Sequence, residues 1–308
     1  MRGSSGRLRT LCLRPLAAFF ATALLLAGCA TAPQEPQTGY SASLLWQVEK
    51  DGVAPSYLLG TIHSPDPRLH ELRPEVRQAL AASRTAAFEM LFDRESLERT
   101  MQAAVQPEGR RLEDELGPEL FGRTAAAVRR YGVSPDKLQR MTVLTLVGLL
   151  SYPPEELRRL ALGHPIFDQW LQQEAGRQGK TLRALESDDE QISLFTGMTD
   201  AERVAVVSEL LKGEAEGVFK RLTETYLAGD LDAITADMND LSGAEDPVAA
   251  ERFRKRLLDD RNEIMVERMV PLLAEGPTFV AVGAGHLGGE AGLLRLLEQQ
   301  GYRVTRLR

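Results

Sequence analysis

Two apolar or alternating runs, "SLLWQVEK" (43–50) and "SYLLGTIH" (56–63), flank the turn-forming "DGVAP" and predict a β-hairpin. "PEVRQALAAS" (74–83) has helical spacing with proline in its first turn, and "TAAFEML" (85–91) is the pattern of a buried strand. From about Arg94 to Ser151 the apolar period is helical, broken at Gly117-Pro118 and in "YGVSPD". A helix in "FDQWLQQEAGRQGK" leads into a short strand, "TLRALE" (181–186). Helices then run from Asp189 to Glu275 with a break in "LSGAEDP", and the chain closes with strand 278–283, helix 290–300 and strand "YRVTRL".

This is strand-helix-strand at both ends around a mostly helical middle. It predicts an α/β fold: a central mixed sheet built from the N- and C-terminal strand-helix-strand units, with a large helical insertion at about 94–275. No short-period repeat is present, which argues against a solenoid.

Residues 1–28 stand apart. Four arginines without an acid precede the apolar "LAAFFATALLLAG", which is short for a membrane span. Leu26-Ala27-Gly28-Cys29 resembles a bacterial lipoprotein lipobox, which implies cleavage before Cys29 and lipidation of its thiol. Ala30 after the cysteine favours, by the same resemblance, the outer membrane facing the periplasm. Residues 29–42 form the anchor and a Pro-, Gln- and Thr-rich tether, leaving 43–308 as the folded domain. Cys12 departs with the signal and Cys29 carries lipid, so no disulfide is expected. The formal charge is −7, and losing a signal with four arginines takes it to −11; nucleic acid is not an expected partner.

Candidate chemistry gathers at two corners of the same form. Gly60-Thr61-Ile62-His63 closes the run "YLL", and Gly283-Ala284-Gly285-His286 closes "FVAV". The chain has four histidines, and these two end the first strands of the matching units. Ligands of parallel sheets collect at the carboxyl ends of strands, so two neighbouring strands would bring both imidazoles together. "GAGHLG" also matches a dinucleotide fingerprint. However, no acid follows about 20 residues on, and no second half-domain follows either, so no dinucleotide is expected. "GRQGKT" (176–181) has the wrong glycine spacing for a phosphate loop. His70, after a loop of Pro and Asp, is read as a surface residue, and His164 in "GHPIF" as a helix-entry loop residue and not a ligand.

The separated pieces "YLLGTIHSPDP", "FEM", "FDQWLQQEAGRQGKTLRALES", "DDRNEIM" and "FVAVGAGHLGGEAGLLRLLEQQGYRV" resemble, in order, the TraB/GumN family, which includes the animal TIKI membrane metalloproteases. The resemblance implies a fold of the erythromycin-esterase and haem-uptake-protein superfamily with its site at the sheet edge. It implies divalent-metal-dependent hydrolysis of a peptide or protein substrate, with manganese, cobalt or zinc as the ion. The matching positions are His63, strand-borne Glu89, Glu186, Arg261, Asn262 and His286, with Asp168 a looser match. Of these His63, His286 and Glu89 are the implied metal ligands.

The residue chemistry agrees in part. Two imidazoles and a carboxylate can hold a divalent ion with positions left open. Glu89 on an apolar strand needs a metal or an arginine beside it, and Arg261 could be that arginine or could hold a substrate carboxylate. Glu186 fits a site or a salt bridge equally. There is no H-E-x-x-H, no G-x-S-x-G and no free cysteine in the mature chain. Two alternatives remain beside the metallopeptidase: a metal-free, esterase-type hydrolase with a histidine base, and a non-catalytic lipoprotein that binds metal, haem or peptide.

Overall fold

Strand β5 (Thr278–Gly283) runs through the middle of the sheet, its first five residues buried on both faces. That is the burial of a parallel strand covered on both sides, and it explains the unbroken run "TFVAV". The computed structural model describes residues 44–307 apart from Glu214. The signal segment, the lipobox with Cys29 and the whole tether therefore lie outside the described residues.

The other strands are β1 (Leu45–Glu49), β2 (Ser56–Thr61), β3 (Thr85–Phe88), β4 (Thr181–Ala184) and β6 (Arg303–Arg306). Their order is β4-β3-β5-β2-β1-β6. β4, β3, β5 and β2 are mutually parallel, while β1 runs antiparallel to both β2 and β6. The expected mixed sheet of an α/β fold is present. β1 and β2 form the expected hairpin, whose turn uses Gly52 at φ 82°. The edge strands β4 and β6 are short, largely exposed and carry arginines (Arg183; Arg303 and Arg306), which blunts pairing with another chain.

Helix Pro74–Ala82 crosses from β2 to β3, and helix Leu293–Gln299 crosses from β5 to β6. Each crossover skips at least one strand, so β5 inserts between β2 and β3. This interleaving makes the two histidine-bearing strands direct neighbours, with Gly60 opposite Val282 and Thr61 opposite Gly283.

Between Arg94 and Glu275 the chain is helical except for β4, which returns to the sheet beside β3 as "TLRALE" suggests. The break at Gly117 is a φ of 74° inside Leu112–Val128. Among the described residues no helix is long and apolar enough to cross a membrane.

Two insertion helices matter most for the site. Phe167–Arg177 packs on β3 and β4 through Phe167, Leu171 and Ala175, one turn apart. Its first turn is tied to the corner after β2 by Phe167 N–H donating to Ser64 O at 3.0 Å. Asp259–Glu275 buries a stripe of Met265, Val266, Met269 and Leu273, and Arg261 and Asn262 continue that stripe four residues earlier. Two polar side chains are thus carried on a core-facing surface, where burial demands partners.

Candidate active site

Four strands deliver one candidate residue each, just past their carboxyl ends. His63 lies two residues beyond β2, Glu89 one beyond β3, Glu186 two beyond β4, and His286 in the short 3₁₀ turn after β5. Glu89 is therefore not strand-borne as expected; β3 ends at Phe88, and Glu89 occupies the bend after it. The parallel ladder continues into the loops, since Leu185 N–H donates to Phe88 O and Glu186 N–H to Glu89 O, each at 2.8 Å. That continuation sets the two glutamates side by side.

Arg261 bridges them. Its Nε and Nη2 donate to Glu186 at 2.7 and 2.6 Å, Nη2 also donates to Glu89 Oε2 at 2.9 Å, and Nη1 donates to Leu257 O at 3.0 Å. Four of the five guanidinium N–H donors are taken by its own chain, so of its two expected roles Arg261 takes the pairing one. Glu89 Oε1 accepts the Gly283 N–H at 2.6 Å. Burial works to raise the Glu89 pKa, but Arg261, both histidines and that N–H outweigh it and hold the carboxyl at about 2.

Each imidazole has its Nδ1 side engaged. His286 Nδ1 lies 2.7 Å from Asn262 Oδ1, the geometry of a donated hydrogen bond, while Asn262 Nδ2 donates to Ala291 O at 2.8 Å. The second bond fixes the amide orientation, so Oδ1 faces the ring, Nδ1 carries the proton, and Nε2 is left as a lone pair. Nε2 stands 3.8 Å from Glu89 Oε1. Burial first, then Arg261, pushes the His286 pKa down to about 3, against the pull of Glu89, so the ring is neutral. His63 Nδ1 lies 2.8 Å from Asp168 Oδ2, although the N–H is not aligned on that oxygen. Thr61 Oγ1 donates to Asp168 Oδ1.

All of these groups face one cavity of about 550 Å³ except Asn262 and Glu186, which stand behind His286 and Arg261. His63, Glu89 and His286 are thereby brought together. Among the described residues, no three His, Cys, Asp or Glu side chains already stand as a metal-holding group. The donor chemistry nevertheless fits a divalent cation. Three carboxylates, buried Asp168 and Glu186 and the part-buried Glu89, gather with one guanidinium, a formal surplus of two negative charges beside two imidazoles. The backing of each ring by an oxygen is the arrangement that orients metal-ligating histidines.

The corners owe their shape to residues the pattern did not single out. Tyr226 donates to Gly60 O and Tyr152 to His63 O, both at 2.7 Å and both buried. Tyr226 lies one turn after Leu222 on the buried stripe of its helix, a signal for burial but not for its partner. A Cβ at Gly60 would sit 2.7 Å from Leu287 Cδ1 and 3.1 Å from the Ala284 backbone, so glycine lets the two corners touch. His164 lies exposed in the loop that leads into helix Phe167–Arg177, the helix-entry position expected of it. His70 is not a plain surface residue; it is half-buried and stacked on Trp170 with ring centres 5.1 Å apart.

The model of the TraB/PrgY/gumN family matches residues 44–306, the whole sheet and the insertion together. The chain belongs to that family. Among curated relatives, metalloprotease TIKI1 of Danio rerio is 28% identical, over 90% of this chain and 65% of that protein. Metalloprotease TIKI1 of Homo sapiens is 26% identical over 96% and 68%, and the metalloprotease TIKI homolog of Nematostella vectensis 26% over 87% and 68%. This TraB/PrgY/gumN protein thus spans about two thirds of the length of those relatives. No solved structure matches the chain.

Proposed function

We propose that this protein is a divalent-metal-dependent peptidase, anchored in the bacterial envelope by lipid on Cys29 and facing the periplasm from the outer membrane. The observation that carries the reading is the pair of oxygen-backed imidazoles, His63 with Asp168 and His286 with Asn262, lining one cavity beside Glu89. The names of the relatives, metalloproteases all, point the same way.

His63 and His286 would hold the ion, with Glu89 as the third donor. Manganese, cobalt and zinc all suit such a set. Bound there, the ion supplies a Lewis acid that polarises the scissile carbonyl. Asn262 keeps the His286 ring in the tautomer that leaves Nε2 free, and Asp168 stands 2.8 Å from the Nδ1 of His63. Arg261 keeps Glu89 ionised, and a carboxyl held at about 2 is a poor proton acceptor near neutrality. Glu89 therefore serves by its charge and position, as ligand and not as base. Residues of the insertion helices, Leu97, Asp168, Leu194 and Leu222 among them, line much of the cavity.

A second reading has its own observation. The carboxylate of Asp168 beside His63 is also the pairing of a general base and its orienting group, which suits a metal-free, esterase-type hydrolase. Digestion of a peptide mixture by the mature chain, with divalent ion and with chelator, separates the two. Cleavage that stops with chelator and returns with metal supports the peptidase; cleavage indifferent to chelator supports the metal-free enzyme. No cleavage under any condition leaves a binding protein.

Anchoring rests on Leu26-Ala27-Gly28-Cys29. Cys29→Ala removes fatty-acid labelling if the reading is right, and unchanged labelling refutes it.

A further inference from the structure

The walls of the cavity away from the histidines carry information about what enters it. Helix Phe167–Arg177 turns Asp168 toward His63, and the same helix lines the cavity with Gln169, Gln172 and Gln173, spaced to share one face. Gln172 Oε1 is taken by the Phe92 N–H at 3.0 Å. The Gln169 and Gln173 amides make no hydrogen bond among the described residues, and each offers both a donor and an acceptor. A primary amide is the side chain that can pair with both halves of a peptide group.

The lining also has an apolar part, which includes Phe92, Leu97 and Leu194. Leu97 is 59% exposed and Met101, one turn on, is 63% exposed, so the apolar surface continues out of the cavity along helix Arg94–Ala103. Water-facing leucine and methionine at a cavity rim lose little and gain when an apolar chain lies on them. Charge completes the picture. Among the described residues Arg261 is the single Lys or Arg lining the cavity, and four of its five N–H donors are taken by Glu89, Glu186 and Leu257 O. Away from the proposed ion, no lysine or second arginine stands ready to pair with an acidic side chain of a bound chain.

We infer that the cavity selects an uncharged, apolar stretch of extended polypeptide, whose backbone pairs with the Gln169 and Gln173 amides and whose side chain packs against Phe92, Leu97 and Leu194. Stretches that would place an acidic side chain on that apolar lining are disfavoured. The inference rests on the reading of this cavity as the site where a polypeptide is bound.

The test uses the mature lipidated chain in nanodiscs. Its probes are octapeptides blocked at both ends and differing only in a central Leu, Glu or Lys. Calorimetry reads binding and mass spectrometry reads cleavage, both with divalent ion present. The blocked leucine peptide should bind at least about tenfold more tightly than the glutamate peptide, the worth of a buried leucine. Gln169→Ala and Gln173→Ala should each weaken all bound peptides about fivefold regardless of side chain, the worth of one hydrogen bond. Gln173 is exposed, so its alanine variant folds even if that of Gln169 does not.

Equal affinity for the leucine and glutamate peptides overturns the inference. So does dodecanoate that binds better than the leucine peptide and is unaffected by either glutamine variant, since the cavity would then belong to acyl chains. Selective binding without cleavage sustains the inference and removes the peptidase reading. Cleavage without selectivity does the reverse.

Discussion

Arg261 Nη2 donates to Glu89 at 2.9 Å and to Glu186 at 2.6 Å, joining two loops that leave the sheet from different strands. Glu186 is buried and Glu89 part-buried, and the guanidinium is their shared cation. Arg261→Met, similar in length but uncharged, leaves two carboxylates unpaired and should cost about 3–5 kcal/mol of unfolding free energy. Glu89→Gln should cost less, because Arg261 keeps its two bonds to Glu186. Urea denaturation of both variants checks the order; equal losses would mean Glu89 and Glu186 do not share the cation.

Acid should weaken the fold through two groups acting in the same direction. The His286 pKa is about 3 in the fold against an ordinary 6.5, and that of Glu89 about 2 against 4.5. In each case the unfolded chain takes up the proton first as pH falls. Stability is therefore lost from pH 6.5 downward through His286, and again below 4.5 through Glu89. Thermal melts of metal-stripped protein between pH 8 and pH 5 should fall more steeply for the wild type than for His286→Gln. Parallel curves would show that the ring is not held neutral by burial.

The glycine run after His286 makes a sharper structural prediction. A Cβ at Gly288 would sit 2.1 Å from Thr235 Oγ1 and 3.1 Å from its Cβ. Gly288→Ala should destabilise by about 1–3 kcal/mol, as overpacking does. Adding Thr235→Ala should recover much of that loss, because the nearest atom is gone. Failure of the double variant to recover would place the strain in the loop backbone itself.

His63, His286 and Glu89 were legible because each follows a short apolar run, two of them through glycine corners, and strand ends of a parallel sheet converge. Their convergence depended on β5 lying between β2 and β3, and nothing local in "FVAV" states which neighbour it chooses. The tyrosines that shape the corners were not legible. Tyr152 and Tyr226 donate to backbone carbonyls 89 and 166 residues away, and such bonds leave no spacing to detect. Arg261 and Asn262 carried a usable sign in their position four residues before Met265 and Val266 on a buried stripe. The role of Arg261 is not legible in the pattern, because the partners a guanidinium takes are a property of the assembled loops alone. The glutamine face of Phe167–Arg177 was visible as spacing, but not its outlook onto the cavity.

Asn262 acts on His286 and not on substrate. Asn262→Leu should lower metal affinity about 10–100-fold, the usual loss when the group orienting a ligating histidine is removed. Asn262→Asp, which still accepts the Nδ1 proton, should restore most of it. Metal titration of the pair checks this; equal affinity in the wild type and Asn262→Leu would make the 2.7 Å contact purely structural.

The account stands on His63 and His286 sharing one ion. Calorimetric titration of the metal-stripped mature chain with manganese, cobalt and zinc tests that directly, alongside His63→Ala, His286→Ala and the double variant. One ion should bind per chain. Each single variant should lose the site, and the double variant should lose nothing further, because two ligands of one ion are not additive. Wild-type stoichiometry and affinity in the double variant would contradict the account.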